Sequence, residues 1–140
     1  MAKPGASYER FVYDRFKRLF SNATVTLNDK IMGHESGILR EIDVSVRLSV
    51  NDLDVLYIAQ CKDWANPTDI NTLGTLSAVM HDVRASKGFL LCTSGFAASN
   101  HRYALRSGIE LVTIEDVTSE RWHVKVEIPV IYARTITVKC

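Results

Sequence analysis

LREIDVSVRLSVNDLDVLYIAQCK, residues 39–62, is two alternating runs joined by Asn51-Asp52. In the first run Ile42, Val44, Val46 and Leu48 share one face, and Asp43, Ser45, Arg47 and Ser49 share the other. That is the period-two pattern of a half-buried strand. The second run, Val55 to Lys62, is rich in Val, Tyr and Ile, residues that suit a pleated surface. Asn51-Asp52 is a turn signal. If it forms a two-residue turn, Val50 faces Leu53, and counting back along the pair sets Asp43 opposite Gln60. Gln60 and Lys62 then lie on the face of Asp43. A four-residue turn keeps the three together, whereas a three-residue turn sets Asp43 against Cys61 and mixes polar with apolar faces. An acid, an amide and a lysine thus converge at one end of an otherwise apolar strand pair, where polar groups are costly unless they pair or hold a ligand. An Asp–Lys ion pair on a solvated sheet face has the same spacing.

The flanking sequence supplies the remaining elements. Tyr8, Phe11, Val12, Phe16, Leu19 and Phe20 recur at helical spacing, and Ser7 is placed to cap that helix. Ala23 to Leu27 alternates as a strand, and Gly33 to Gly37 is a loop. Asn66-Pro67 starts a second helix, whose apolar stripe runs through Ile70, Leu73, Leu76, Val79, Met80 and Val83. Gly88 to Cys92 reads as a buried strand, Ala97 to Ser107 as a helix closed by Gly108, and Ile109 to Ile114 as a last core strand. A meander followed by a strand–helix–strand crossover gives an α/β fold, a central mixed β-sheet flanked by helices. Arg121 to Lys139 alternates again, broken by Pro129, so residues 115–140 are expected to add C-terminal strands leading into a further region.

The 140 residues suit one domain, with 46% hydrophobic and 24% charged residues. No apolar run reaches the ~18–20 residues of a membrane span, and nothing at the N-terminus resembles a signal peptide, so a cytoplasmic location is expected. Three scattered cysteines, Cys61, Cys92 and Cys140, make neither a disulfide framework nor a zinc site. A net charge of +1 gives no basic field over the whole molecule, so nucleic-acid binding would need Lys and Arg gathered on one face.

The ordered text Tyr8-Glu9-Arg10-Phe11, Gly33 with Ser36-Gly37, Arg40-Glu41-Ile42-Asp43-Val44, Ala59-Gln60-Cys61-Lys62, Lys87-Gly88-Phe89, Thr93-Ser94-Gly95-Phe96, Ala104 and Gly108-Ile109 resembles the Mrr-like, type IV restriction branch of the PD-(D/E)xK nuclease superfamily. The resemblance covers residues 8–114 and implies a restriction-endonuclease-like core that hydrolyses DNA phosphodiesters, as the cleavage module of a restriction or phage-defence protein. It makes Asp43 the metal-binding carboxylate and Lys62 the residue that orients water and offsets transition-state charge. Gln60 stands where most of the superfamily has Glu or Asp, and the Mrr-like branch often carries Gln. Its amide oxygen, with the backbone carbonyl of Cys61, would complete the protein's share of a Mg²⁺ site in which Mn²⁺ can substitute. Glu9 matches the helix-one glutamate that faces the site.

Other features are weaker. His34 and Glu35 lie in the loop before the Asp43 strand, and Ser36-Gly37 and Thr93-Ser94-Gly95 are candidates for backbone contact with a phosphate. Lys87, His101, Arg102 and Arg106 are candidates for a DNA-facing surface, and Trp64 for the site rim. DNA is the expected partner, double-strand cutting would need a homodimer, and target recognition would come from a separate domain or partner chain. Two other readings share the fold: a junction-resolving nuclease with a basic dimer face, and a catalytically silent DNA-binding or assembly module, which Gln60 would permit.

Overall fold

A computed structural model describes residues 6–62, 69–92, 96 and 100–113 of the chain. The elements follow the expected order: α1 (Ala6–Leu19), β1 (Thr24–Met32), β2 (Leu39–Val50), β3 (Leu53–Lys62), α2 (Ile70–Val83), β4 (Lys87–Cys92), α3 (Asn100–Ser107) and β5 (Ile109–Thr113). They form one five-stranded sheet in the order β1-β2-β3-β4-β5. The first three strands are antiparallel neighbours, while β3–β4 and β4–β5 are parallel. The α/β class and the mixed sheet flanked by helices are therefore as the sequence implies.

Asn51 and Asp52 both take positive φ, 51° and 65°, the geometry of the two-residue hairpin turn whose twist matches its strands. The register is accordingly the two-residue one, from Val50 opposite Leu53 to Val44 opposite Ala59. Val44, Val46, Val55, Tyr57 and Ala59 pack under α1 against Val12, Phe16 and Phe20. Phe16 makes edge-on contacts with Phe20 and Phe89, ring centres 5.7 and 5.2 Å apart. A second cluster on the opposite face joins Ile42, Ile58 and Leu90 to Leu73, Leu76 and Met80 of α2, and to Ala104 of α3. All six residues of β4 are buried, as befits a strand covered on both faces by helices.

Several boundaries differ from the sequence reading. α1 already includes Ser7, which is therefore not its cap. β1 runs on to Met32 rather than ending at Leu27, because Asn28 adopts a left-handed φ of 53° and lets the strand continue past its polar stretch. α2 begins at Ile70, capped by Asp69, whose side chain accepts the Thr72 N–H. Asn66-Pro67, Trp64, Thr93-Ser94-Gly95, residues 97–99 and residues 114–140 lie outside the described residues. Gly108 has the left-handed φ, 73°, expected after α3. Among the described residues no helix is long and apolar enough to cross a membrane.

One correction bears on the site. Ile42 does not share a face with Val44: it packs under α2, and Val44 under α1. In a regular strand, residues two apart point the same way. Here the β1–β2 ladder passes from Leu27 opposite Val44 to Asp29 opposite Ile42, with left-handed Asn28 between them on β1 and Asp43 between them on β2. Alternation breaks at Asp43.

Candidate active site

Because alternation breaks at Asp43, its side chain is turned along the sheet toward β3 rather than standing on one face. Asp43 is 6% exposed. Its Oδ2 accepts the backbone N–H of Cys61 at 2.9 Å and the side-chain Nε2–H of Gln60 at 2.8 Å. Among the described residues the β2–β3 ladder ends at Val44 and Ala59, so the carboxylate takes the place of a backbone acceptor just where the strands part. The N–H and C=O of a strand residue leave on the same side, so the Cys61 carbonyl is also directed toward the Asp43 edge. The Cys61 side chain packs instead against the α1-side core.

Lys62 and Gln60 are half-buried, and both line a cleft of about 600 Å³ between α2 and the parting ends of β2 and β3. Ile38, Leu39, Arg40 and Glu41 form its β2 wall, and Asn71, Thr72 and Thr75 of α2 the opposite one. Glu9 is 5% exposed on the buried stripe of α1, beside Tyr8 and Val12. Asp43, Gln60 and Cys61 are thus in direct contact, with Lys62 on the same cleft as Gln60.

The loop before β2 is built differently from its sequence reading. Ser36 is no phosphate contact, because its N–H and its hydroxyl both go to the Asp82 carboxylate, at 2.9 and 2.6 Å. Arg40 Nε donates to the same carboxylate at 2.7 Å. These donors, with the Glu35 N–H, hold the Asp82 carboxyl far below the usual carboxylate range, the Ser36 hydroxyl first and Arg40 next. Sequence reading passed over Asp82, although an acid in the last turn of a helix opposes the macrodipole and signals a special partner. Lys87 is a further correction. It is 8% exposed and paired with Glu110 at 3.2 Å across β4–β5, so it faces no solvent or DNA. His101, Arg102 and Arg106 are exposed on α3, while His34 and Glu35 are exposed in the loop.

The donor set gives a test of the metal that the resemblance implies. Among the described residues no three His, Cys, Asp or Glu side chains cluster as a metal site, so a site rich in carboxylates or thiolates is not built here. What Asp43, Gln60 and Cys61 offer is one carboxylate, one amide oxygen and one backbone carbonyl, all hard oxygen donors. Mg²⁺ suits such a set, since it keeps several waters and needs few protein ligands.

A five-stranded mixed sheet with helices on both faces, and a polar cluster where its hairpin parts, defines a protein of the restriction-endonuclease-like class. A family model described as a restriction endonuclease, the Mrr catalytic domain, matches residues 14–119, and the chain belongs to that family. Glu9 precedes the matched span. No curated protein matches significantly. Among solved structures, the chain is similar to AF1548, a protein of unknown function, at 14% identity and a TM-score of 0.60 over 91% of this chain and 78% of that one. It is similar to VC1899 from Vibrio cholerae at 20% identity and a TM-score of 0.63, over 81% of this chain and 31% of that one. The MspJI restriction endonuclease, solved with a 27-mer oligonucleotide, is similar at 14% identity and a TM-score of 0.59, over 81% and 27%. At these identities the likeness is one of fold alone, and the chain spans 31% of the length of VC1899 and 27% of that of MspJI.

Proposed function

We propose that this domain is a divalent-metal-dependent DNA endonuclease centred on Asp43, Gln60, Cys61 and Lys62. The observation that carries the reading is the meeting of Asp43, the Gln60 amide and the Cys61 backbone at the parting of β2 and β3, in a chain of the restriction endonuclease family. Asp43, the Gln60 amide oxygen and the Cys61 carbonyl would hold Mg²⁺, or Mn²⁺ in its place. When bound, the ion would supply Lewis-acid polarisation of the phosphoryl group. Lys62 orients the attacking water and offsets the charge that builds on the phosphoryl oxygens. Water adds to phosphorus in line, the ester bond opposite it breaks, one water proton passes to solvent, and the leaving oxygen takes one up. Glu9 supports the site from α1.

The cleft walls would guide the DNA strand, and target choice belongs to a further domain or a partner chain, as does any role in restriction or phage defence. Cutting both strands takes two such sites, hence a homodimer. The test is conversion of supercoiled plasmid, methylated and unmethylated, with Mg²⁺ and with Mn²⁺, by wild type, Asp43→Ala and Lys62→Ala. Wild type is expected to nick DNA, and both variants to lose activity while staying folded. Intact plasmid under every condition with folded wild type would reject the reading in favour of a silent DNA-binding or assembly module.

A further inference from the structure

We propose that Asp82 is the positioning residue of this site. It pins the Gly33–Ile38 loop to the end of α2 and so fixes the start of β2, which carries Asp43 and one wall of the cleft. The inference rests on the nuclease reading for its consequence, and on the geometry around Asp82 for its premise.

Asp82 is 3% exposed in the last turn of α2, where the helix dipole disfavours a negative charge. Such a group is retained only with dense compensation. Its Oδ1 accepts the N–H groups of Glu35 and Ser36 at 3.0 and 2.9 Å, and its Oδ2 accepts the Ser36 hydroxyl and Arg40 Nε at 2.6 and 2.7 Å. The Asp82 backbone carbonyl also accepts the His34 N–H at 2.7 Å. One residue of α2 therefore ties down three consecutive loop residues and the second residue of β2.

Loop closure does not require this. Gly33 N–H donates to Ile38 O, Gly37 N–H to Gly33 O, and Ile38 N–H to Ser36 Oγ, so the loop closes on its own atoms. What the Asp82 bonds add is attachment to α2. The fit leaves no slack, because a Cβ at Gly33 would run into Asp82 Oδ2 and Ser36 Oγ.

The attachment falls where the β2–β3 ladder has not yet begun. Among the described residues that ladder begins only at Val44, so the backbone of residues 39–42 is laddered to β1, and Asp43 meets β3 through its side chain. Arg40 lies three residues before Asp43 and lines the cleft together with Gln60 and Lys62. The Asp82–Arg40 pair thus ties a residue of the cleft wall to α2 and, through the start of β2, sets the approach of Asp43 to β3.

The amide of Cys61 reports that approach directly, since it donates to Asp43 at 2.9 Å, and reading it needs no catalysis. The experiment records ¹H–¹⁵N spectra of the full chain for wild type, Asp82→Asn and Ser36→Ala. Single-turnover plasmid cleavage with Mg²⁺ is measured in parallel, at a temperature where all three are folded. The Cys61 resonance is expected to move and to exchange faster in Asp82→Asn, and less so in Ser36→Ala. The cleavage rate should fall roughly 10- to 100-fold with half-saturating DNA unchanged, as for a reacting group displaced by about an ångström. If Asp82→Asn does not fold, Ser36→Ala carries the comparison. A stationary Cys61 resonance in a folded variant overturns the proposal, as does a moved resonance with an unchanged rate. Should wild type cleave no DNA, the nuclease reading has failed, and the Cys61 resonance still decides whether Asp82 positions Asp43.

Discussion

Gln60 presents its amide nitrogen to Asp43 at 2.8 Å. An ionised carboxylate only accepts, so this contact fixes which way round the amide sits, with Oε1 directed away from Asp43. The residue that departs from the superfamily's usual acid thereby holds Asp43 in place with its nitrogen, which leaves its oxygen for the metal-binding role proposed above.

Gln60→Glu separates these uses. The substitution removes the donor and sets a second carboxylate beside a buried one, so without metal the variant should lose about 1–3 kcal/mol. With two carboxylates it should gain affinity for Mg²⁺, and stability should recover by linkage. Thermal melts in EDTA and in Mg²⁺ check this. A variant as stable as wild type in EDTA, or one with no larger response to Mg²⁺, would contradict the assignment of both atoms.

Much of this site was legible in the sequence because it rests on a hairpin. Two strands joined by Asn51-Asp52 have a register set by local turn geometry, and that register runs to Val44 opposite Ala59, one pair short of Asp43 and Gln60, which meet through their side chains. The sharp turn at Asp43 was not legible. It needs the left-handed Asn28 on a strand whose polar stretch hides its continuation, and it sends Ile42 to the opposite core from Val44. Asp82 was hidden for a related reason: its partners lie 42 to 47 residues away, and no local pattern pairs a helix end with a loop at that distance. Glu9, singled out by the resemblance alone, is buried because the α1 stripe is wide enough to take it in.

Cys61→Ala tests whether the backbone or the thiol of this residue serves the site. The side chain packs toward the α1-side core while its N–H meets Asp43. Cleavage should be unchanged and stability lower by about 1 kcal/mol, the cost of a small loss in partly buried volume. Loss of cleavage in a folded Cys61→Ala protein would assign the thiol a role that its direction gives it no reason to have.

Phe16→Ala probes what holds α1, and with it Glu9, on the sheet. Phe16 is fully buried and meets both Phe20 and Phe89 edge-on. Removing it should cost about 3–5 kcal/mol, read as a lower urea midpoint with an unchanged slope. A loss below about 1 kcal/mol, the scale of an exposed substitution, would mean that α1 is not anchored there.

Asp82→Asn should change how stability depends on pH, and the sign follows from where the proton binds. In the folded chain the Ser36 hydroxyl, Arg40 and two backbone N–H groups hold the Asp82 carboxyl far below its ordinary value. In the unfolded chain it returns to about 3.9. Above about pH 5 both states are ionised, and the stabilisation is fully present. As the pH falls below about 4, the unfolded state takes up a proton that the folded state refuses, so the contribution shrinks toward the folded value. Asn cannot titrate, and the remaining carboxylates are common to both proteins. The stability gap between wild type and Asp82→Asn should therefore be flat from about pH 5 to 8 and narrow steadily below about pH 4, as read by urea denaturation at each pH. A gap that stays constant down to about pH 3 would mean that Asp82 keeps an ordinary affinity for protons, which its hydrogen-bond donors do not permit.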